Sequence, residues 1–175
     1  MRNHHGMRPQ DVAVLLKLAL WEDQPWQSKE LAESLYLSPT EISFALKRCA
    51  YAHLLDGARR RVARRALLDF LVYGLAVVYP TQPGAQVRGL PAGHGAPPLN
   101  QHLSTEQLYV WPDAESECWG SAIEPLYPKL PQAARADAAL YELLALTDAL
   151  RVGRPREKKL ANELLAQRLL PASYV

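Results

Sequence analysis

The stretch Gln27 to Leu55 reads QSKELAESLYLSPTEISFALKRCAYAHLL, two short amphipathic segments with a capped junction between them. In the first, Leu31, Ala32 and Leu35 form an apolar stripe at helical spacing, and small Ala32 lets a second helix cross close by. Leu37 plugs the corner. Ser38 is a good N-cap, Pro39 suits a first helical position that needs no amide hydrogen, and Glu41 completes a capping box with Ser38. A new helix is therefore expected to start at Pro39. Ile42, Leu46 and Cys49, with Ala45 and Ala50, face inward and leave Thr40, Ser43, Phe44, Lys47, Arg48 and Tyr51 outward. Small hydroxyls, an aromatic ring and two cations suit a DNA groove.

Working outward, Pro9 to Trp21 carries Val12, Leu15, Leu16, Ala19 and Leu20 at helical spacing, with Asp11 placed to favour the helix dipole. This is the expected first helix of a three-helix core, and Trp26 is expected under the helical pair. On the other side, Leu54 and Leu55 begin a short strand, Asp56-Gly57 supplies turn chemistry, and Arg59 to Ala63 return as a second strand. The segment S-K-E-L-A-E-S-L-Y-L-S-P-T-E-I-S-F-A-L-K-R resembles the winged helix-turn-helix regulators of bacteria, MarR-like in the broad sense, over about the first half of the chain. The resemblance implies a positioning helix at Ser28 to Leu35, a recognition helix from Pro39 to His53, and a wing after it. Tyr36 stands at the turn where such motifs often carry Gly, and Gln27 stands where a hydroxyl cap is usual. Thr40, Ser43, Phe44 and Lys47 are then expected near base edges, with Ser28, Lys29, Arg48, Arg59, Arg60 and Arg61 on phosphates and Pro39 among the DNA-binding residues at the helix start. Phe44 either meets a thymine methyl or packs on the first helix, and the three wing arginines are otherwise a solvated loop.

Charge is uneven. The net charge is +2, yet residues 39–65 hold seven cations against two carboxylates, residues 66–150 three against nine, and residues 151–175 six against two. A basic half beside an acidic middle points to one DNA-facing surface and one protein-facing surface. The C-terminal R-V-G-R-P-R-E-K-K run reads as a solvated helix junction or a second phosphate patch. In 175 residues, 49% are apolar, enough for a substantial core. The apolar run Ala66 to Tyr79 is too short for a bilayer, and no membrane partner is expected. The N-terminal MRNHHGMRPQ lacks the apolar core of a signal peptide and Met7 offers an alternative start. Cys49 and Cys118 stand apart without a paired-Cys motif, which reads as reduced and cytoplasmic.

Ala66 to Val78 reads as a helix with Leu67, Phe70, Leu71, Leu75 and Val78 on one side and Leu68, Val72 and Ala76 on another. Its second apolar face makes it the candidate contact of a homodimer. Pro80 to Leu99 is rich in proline and glycine and reads as an extended linker, an arm over a partner, or the lip of a pocket. Leu108 to Trp111 and Cys118 to Ser121 look like a small hairpin; Ala134 to Leu150 and Arg156 to Leu170 read as two helices. Trp111, Trp119 and Tyr127 read as core aromatics before they read as a ligand pocket.

The expected fold class is mainly α with a small β component. The expected domains are a winged helix-turn-helix unit with its following helix over 7–79, a Pro/Gly-rich linker or arm over 80–107, and a C-terminal hairpin and two-helix unit over 108–175. No catalytic motif is present: there is no phosphate loop, no nucleophile elbow and no Cys with a motif-placed His. His94, His102 and Cys118 lack metal-ligand spacing, so neither a metal nor another cofactor is expected. The expectation is a cytoplasmic, homodimeric transcriptional regulator binding double-stranded DNA, and not an enzyme. The alternative is a protein-binding winged-helix module, such as an antitoxin or adaptor, that docks a partner through the acidic C-terminal half.

Overall fold

The structure, a computed structural model, describes residues 6–21, 24–58, 60–104 and 106–171. It is mainly helical with two small sheets. Helix α1 (Pro9–Trp21) is apolar on nearly every side, and Val12 to Ala19 are all buried. A helix with no polar face belongs in the middle of a fold, and α1 is packed by α2 (Ser28–Leu35), α3 (Pro39–Tyr51) and the C-terminal α7 (Ala138–Val152). The expected capping box at Ser38 is present: the Glu41 amide donates to Ser38 Oγ, and the Ser38 amide donates to Glu41 Oε2. Gln27 and Glu30 form a second box at the start of α2. Between the two helices Tyr36 takes the left-handed conformation, with φ 56°, so the chain reverses there without glycine and at a conformational cost to tyrosine. Helix α3 stops at Tyr51, short of the expected His53. The following hairpin is small, β1 (Leu55–Asp56) against β2 (Arg61–Val62), antiparallel.

Helix α4 (Arg64–Asp69), a π-helical turn (Phe70–Gly74) and α5 (Leu75–Val78) form one rod. Leu67, Leu71 and Leu75 are buried as expected, but Val78 is not. The wide π turn rotates the last residues out of register, which leaves Tyr73, Val77 and Val78 at 79%, 81% and 53% exposed. Arg64 anchors the start of this rod, donating to the carbonyls of Ala19 and Leu169.

The segment 80–107 is not a linker. Residues Gln86–Ala92 form strand β3, which pairs antiparallel with both β4 (Tyr109–Pro112) and β5 (Trp119–Ala122). The expected hairpin of β4 and β5 is likewise corrected: those two strands run parallel, and the three close on one another. The residues that looked like breakers make this closure possible. A Cβ at Gly89 would stand 2.3 Å from the Trp111 carbonyl oxygen, and one at Gly120 would stand 2.7 Å from that of Leu108. Glycine in a strand marks such a close approach of backbones. Pro91 also sits in β3, and its carbonyl accepts the Tyr141 hydroxyl at 2.6 Å.

The helix expected over Ala134 to Leu150 is two helices, α6 (Leu130–Ala136) and α7, and α8 (Pro155–Leu169) follows. Asp137 makes the break: extended in backbone, it accepts the Leu140 amide and starts α7 as its N-cap. The expected division into an N-terminal and a C-terminal domain gives way to one contiguous core, in which Leu16, Leu31 and Leu67 join Trp111, Leu140 and Leu165. The Tyr127 hydroxyl donates to the Leu35 carbonyl across the former boundary, and Lys17 of α1 pairs with Asp137. Of the three aromatics, Trp111 and Tyr127 are core and Trp119 is exposed.

Asp137 and Glu41 give an acid-side prediction. Burial pushes the Asp137 carboxyl up, but Lys17 and the amides of Leu140 and Ala139 outweigh it and hold it below its ordinary 3.8. The Ser38 amide and hydroxyl hold Glu41 below its ordinary 4.5. A carboxyl lowered on folding contributes stability above its unfolded value and loses it as pH falls through the folded one. Asp148, raised by burial against Arg151 and Trp111, titrates in the opposite sense. Urea unfolding from pH 6 down to pH 3 should therefore show a smaller acid loss for Asp137→Asn than for wild type. Asparagine keeps the cap and drops the charge; identical profiles would remove Asp137 from the acid response.

Candidate nucleic-acid interface

Helix α3 presents one exposed strip. Pro39, Thr40, Ser43, Phe44, Lys47 and Tyr51 are exposed, while Ile42, Ala45 and Cys49 turn inward and are buried. The strip follows from the cap at Ser38, which sets the phase of the helix, and from α1, against which the inward stripe packs. Phe44 does not pack on α1; it is 54% exposed, and Lys47 Nζ lies over its ring at 5.7 Å. That places a cation and an aromatic face side by side on the exposed strip of the helix.

Arg48 is a correction. Expected outward on a phosphate, it is buried and makes a two-pronged ion pair with Asp11 of α1, Nε to Oδ2 at 2.7 Å and Nη2 to Oδ1 at 2.6 Å. The reason lies in the phase of the helix: Arg48 flanks Cys49 at the edge of the inward stripe, and Asp11 is fully buried beneath it. A buried carboxylate needs a charged partner, and hydrogen bonding to Asp11 holds the Arg48 guanidinium above its usual range. Cys49, buried next to this pair, has its thiol pushed up by desolvation, which makes it a packing residue and not a nucleophile.

On α2, Ser28 is half-buried at the helix start and Lys29 is exposed, 3.9 Å from Glu33 on the next turn. Glu30 and Glu41 are occupied as capping acceptors. In the hairpin, Arg59 lies outside the described residues. Arg60 is exposed, with φ 55°, and its guanidinium stacks on the Trp26 ring at 3.5 Å from the ring centre. Trp26 in turn packs against Trp21 of α1. Stacking uses the flat face of the guanidinium and leaves its N–H edges for an acceptor. Arg61 is exposed on β2.

The geometry therefore assembles Thr40, Ser43, Phe44 and Lys47 on one helix face and carries Arg60 and Arg61 on the adjoining hairpin. It leaves Arg48 out. The role of Trp26 as a platform for Arg60 was not legible from spacing, because α2, α3 and β1 lie between the two in the chain and Arg60 sits in a turn whose path depends on the β1–β2 pairing. Exposed Tyr36 and Tyr51, at 50% and 68%, extend the aromatic character of the α2–α3 face.

The acidic middle is largely consumed within the chain. Asp137 pairs with Lys17, Asp113 and Glu115 with Arg135, Glu142 with Arg168, Asp69 with Arg65, and Asp148 with Arg151. In the C-terminal basic run, Arg151 is buried, donating to the carbonyls of Tyr79 and Glu124 as well as to Asp148. Among the described residues no three His, Cys, Asp or Glu side chains converge to hold a metal ion, and no helix is long and apolar enough to cross a membrane. Comparison of the chain with protein-family models, with curated proteins and with solved structures finds no match.

Proposed function

We propose that α1 to α3 with the β1–β2 hairpin act as a winged helix-turn-helix that binds double-stranded DNA, and that the protein is a homodimeric transcriptional regulator. The observation that carries this reading is the exposed strip of Thr40, Ser43, Phe44 and Lys47 on a capped helix beside an arginine-bearing hairpin. Helix α3 enters the major groove with that strip toward the base edges, and Arg60 and Arg61 take phosphates at its flank. Two copies joined through Tyr73, Val77 and Val78 of the 64–78 rod would read a two-fold site, the symmetry that such recognition uses. The internal pairing of the acidic residues lends little support to docking a protein partner through the C-terminal half.

Fluorescence anisotropy with duplex DNA, from low to physiological salt, tests the reading. Wild type should bind with steep salt dependence. Lys47→Ala should cost about 1–3 kcal/mol on a specific site and less on random duplex, whereas Arg60→Ala should weaken all duplexes and lower the salt slope by about one. Absence of binding by wild type at low salt would overturn the proposal.

A further inference from the structure

Thr40, Phe44, Lys47 and Tyr51 follow one another at helical spacing and form one line along the exposed strip of α3. Of the chain's two phenylalanines, Phe70 packs against the core and meets Tyr79 edge-on, whereas Phe44 stands outside the core and is more than half exposed. Single apolar side chains on a surface are ordinary. Among the described residues, however, the exposed large apolar side chains gather at the end of the 64–78 rod and on the α2–α3 face, with Trp119 apart. The Phe44 ring faces the Lys47 ammonium, 5.7 Å from the ring centre, and that attraction holds the two side chains together.

Phenylalanine carries no polar side-chain atom, so what it gains by contact is the removal of water from another apolar group. The major groove offers one such group: the base edges carry carbonyl, ring-nitrogen and amino groups, and the C5-methyl of thymine stands apart from them. Pressed on a polar edge, the ring would strip water from a donor or acceptor and return no hydrogen bond, which costs free energy. A phenylalanine in this line therefore favours thymine and disfavours the other bases at the same contact. Lys47 makes the opposite demand. Its ammonium has three donors and no acceptor, and guanine, with O6 and N7, presents two acceptors and no donor on its major-groove edge. Three helical residues span about 4.5 Å, close to the base-pair rise of about 3.4 Å, and ring and ammonium already lie together in the free protein. Phe44 and Lys47 are thus spaced to meet neighbouring base pairs.

On the reading of α3 as a recognition helix, on which this rests, we propose that Phe44 selects duplex sites by the C5-methyl of a thymine, on the base pair next to a guanine taken by Lys47. Arg60 and Arg61 add no such preference, because phosphate contacts carry no base identity.

Selection of bound duplexes from a random-sequence pool by the full chain, followed by fluorescence anisotropy on the recovered duplex, tests the assignment. Replacing thymine by uracil removes only the methyl group. At one thymine that replacement should weaken wild type about fourfold, the worth of one buried methyl, and Phe44→Ala should bind the thymine and uracil duplexes alike. Phe44 lies outside the core, so alanine there leaves the fold in place. The guanine whose 7-deaza form weakens wild type but not Lys47→Ala marks the base pair of Lys47, and the uracil-sensitive thymine should lie on the next one. If wild type binds duplexes but enriches no sequence, binds thymine and uracil duplexes alike, or keeps its discrimination in Phe44→Ala, the assignment is overturned while DNA binding stands. It is overturned as well if the two marked base pairs are not neighbours. No binding of any duplex at low salt overturns the winged-helix reading itself, and this assignment with it.

Discussion

Asp11→Ala is expected to remove about 3–5 kcal/mol of folding stability, the cost of stripping one partner from a buried ion pair. Asp11 is fully buried, and its two oxygens accept both prongs of Arg48 and the amide of Arg8. Alanine leaves a guanidinium in the core without its counter-charge and also takes the cap from the first turn of α1. The loss reports the unpaired charge more than the worth of the pair. Adding Arg48→Met to Asp11→Ala should therefore recover most of the stability, because an apolar side chain of similar length removes the stranded charge. Urea unfolding of the two single variants and the double variant, followed by tryptophan fluorescence, measures both effects. A loss below about 1 kcal/mol for Asp11→Ala would place the pair at the surface and return Arg48 to the candidate DNA contacts.

Asp148→Ala should cost a similar amount, about 3–5 kcal/mol, for a different structural reason. Asp148 is 1% exposed and holds Trp111 Nε1 of β4 and Arg151 Nη1 of its own helix. Arg151 continues the network to the carbonyls of Tyr79 and Glu124, so one carboxylate ties the end of the 64–78 rod, the three-stranded sheet and α7 together. Its removal strands a buried guanidinium and a buried indole N–H at once. Asp148→Asn should fall between wild type and alanine, since the amide oxygen can still accept one of the two donors. Urea unfolding gives the order, and the emission of Trp111, fully buried in wild type, should shift to the red in the alanine variant. Equal stability of the alanine and asparagine variants would mean that the hydrogen bonds contribute nothing beyond the charge.

Both residues show where reading along the chain reaches its limit. The start of α3 was legible because a capping box is a local device: Ser38, Pro39 and Glu41 satisfy one another within four residues, whatever the rest of the chain does. The inward stripe Ile42, Ala45 and Cys49 was legible for the same reason, since helical period is local. Arg48 was not. Whether a residue at the edge of a stripe faces water or protein depends on what crosses above it, and Asp11 is 37 positions away in the chain. The same limit applies to Arg60, whose stacking partner Trp26 belongs to another segment.

The stretch 80–107 makes the point most sharply. Gly89 and Pro91 carry the composition of a loop, and composition alone reads them as one. Their place in β3 is decided by β4 and β5, which close so tightly on the strand that a Cβ at position 89 would collide with the Trp111 backbone. His94 likewise has no motif around it, and its partners are Gln107, which precedes β4, and Glu157 of α8. Local hydrogen bonding and periodicity thus set the Ser38 cap, the start of α3 and its inward stripe in advance. Strand pairing, the joining of both halves into one core, the burial of Arg48 and the partners of His94 were settled by contacts between distant segments, because burial and charge pairing are properties of neighbours in space.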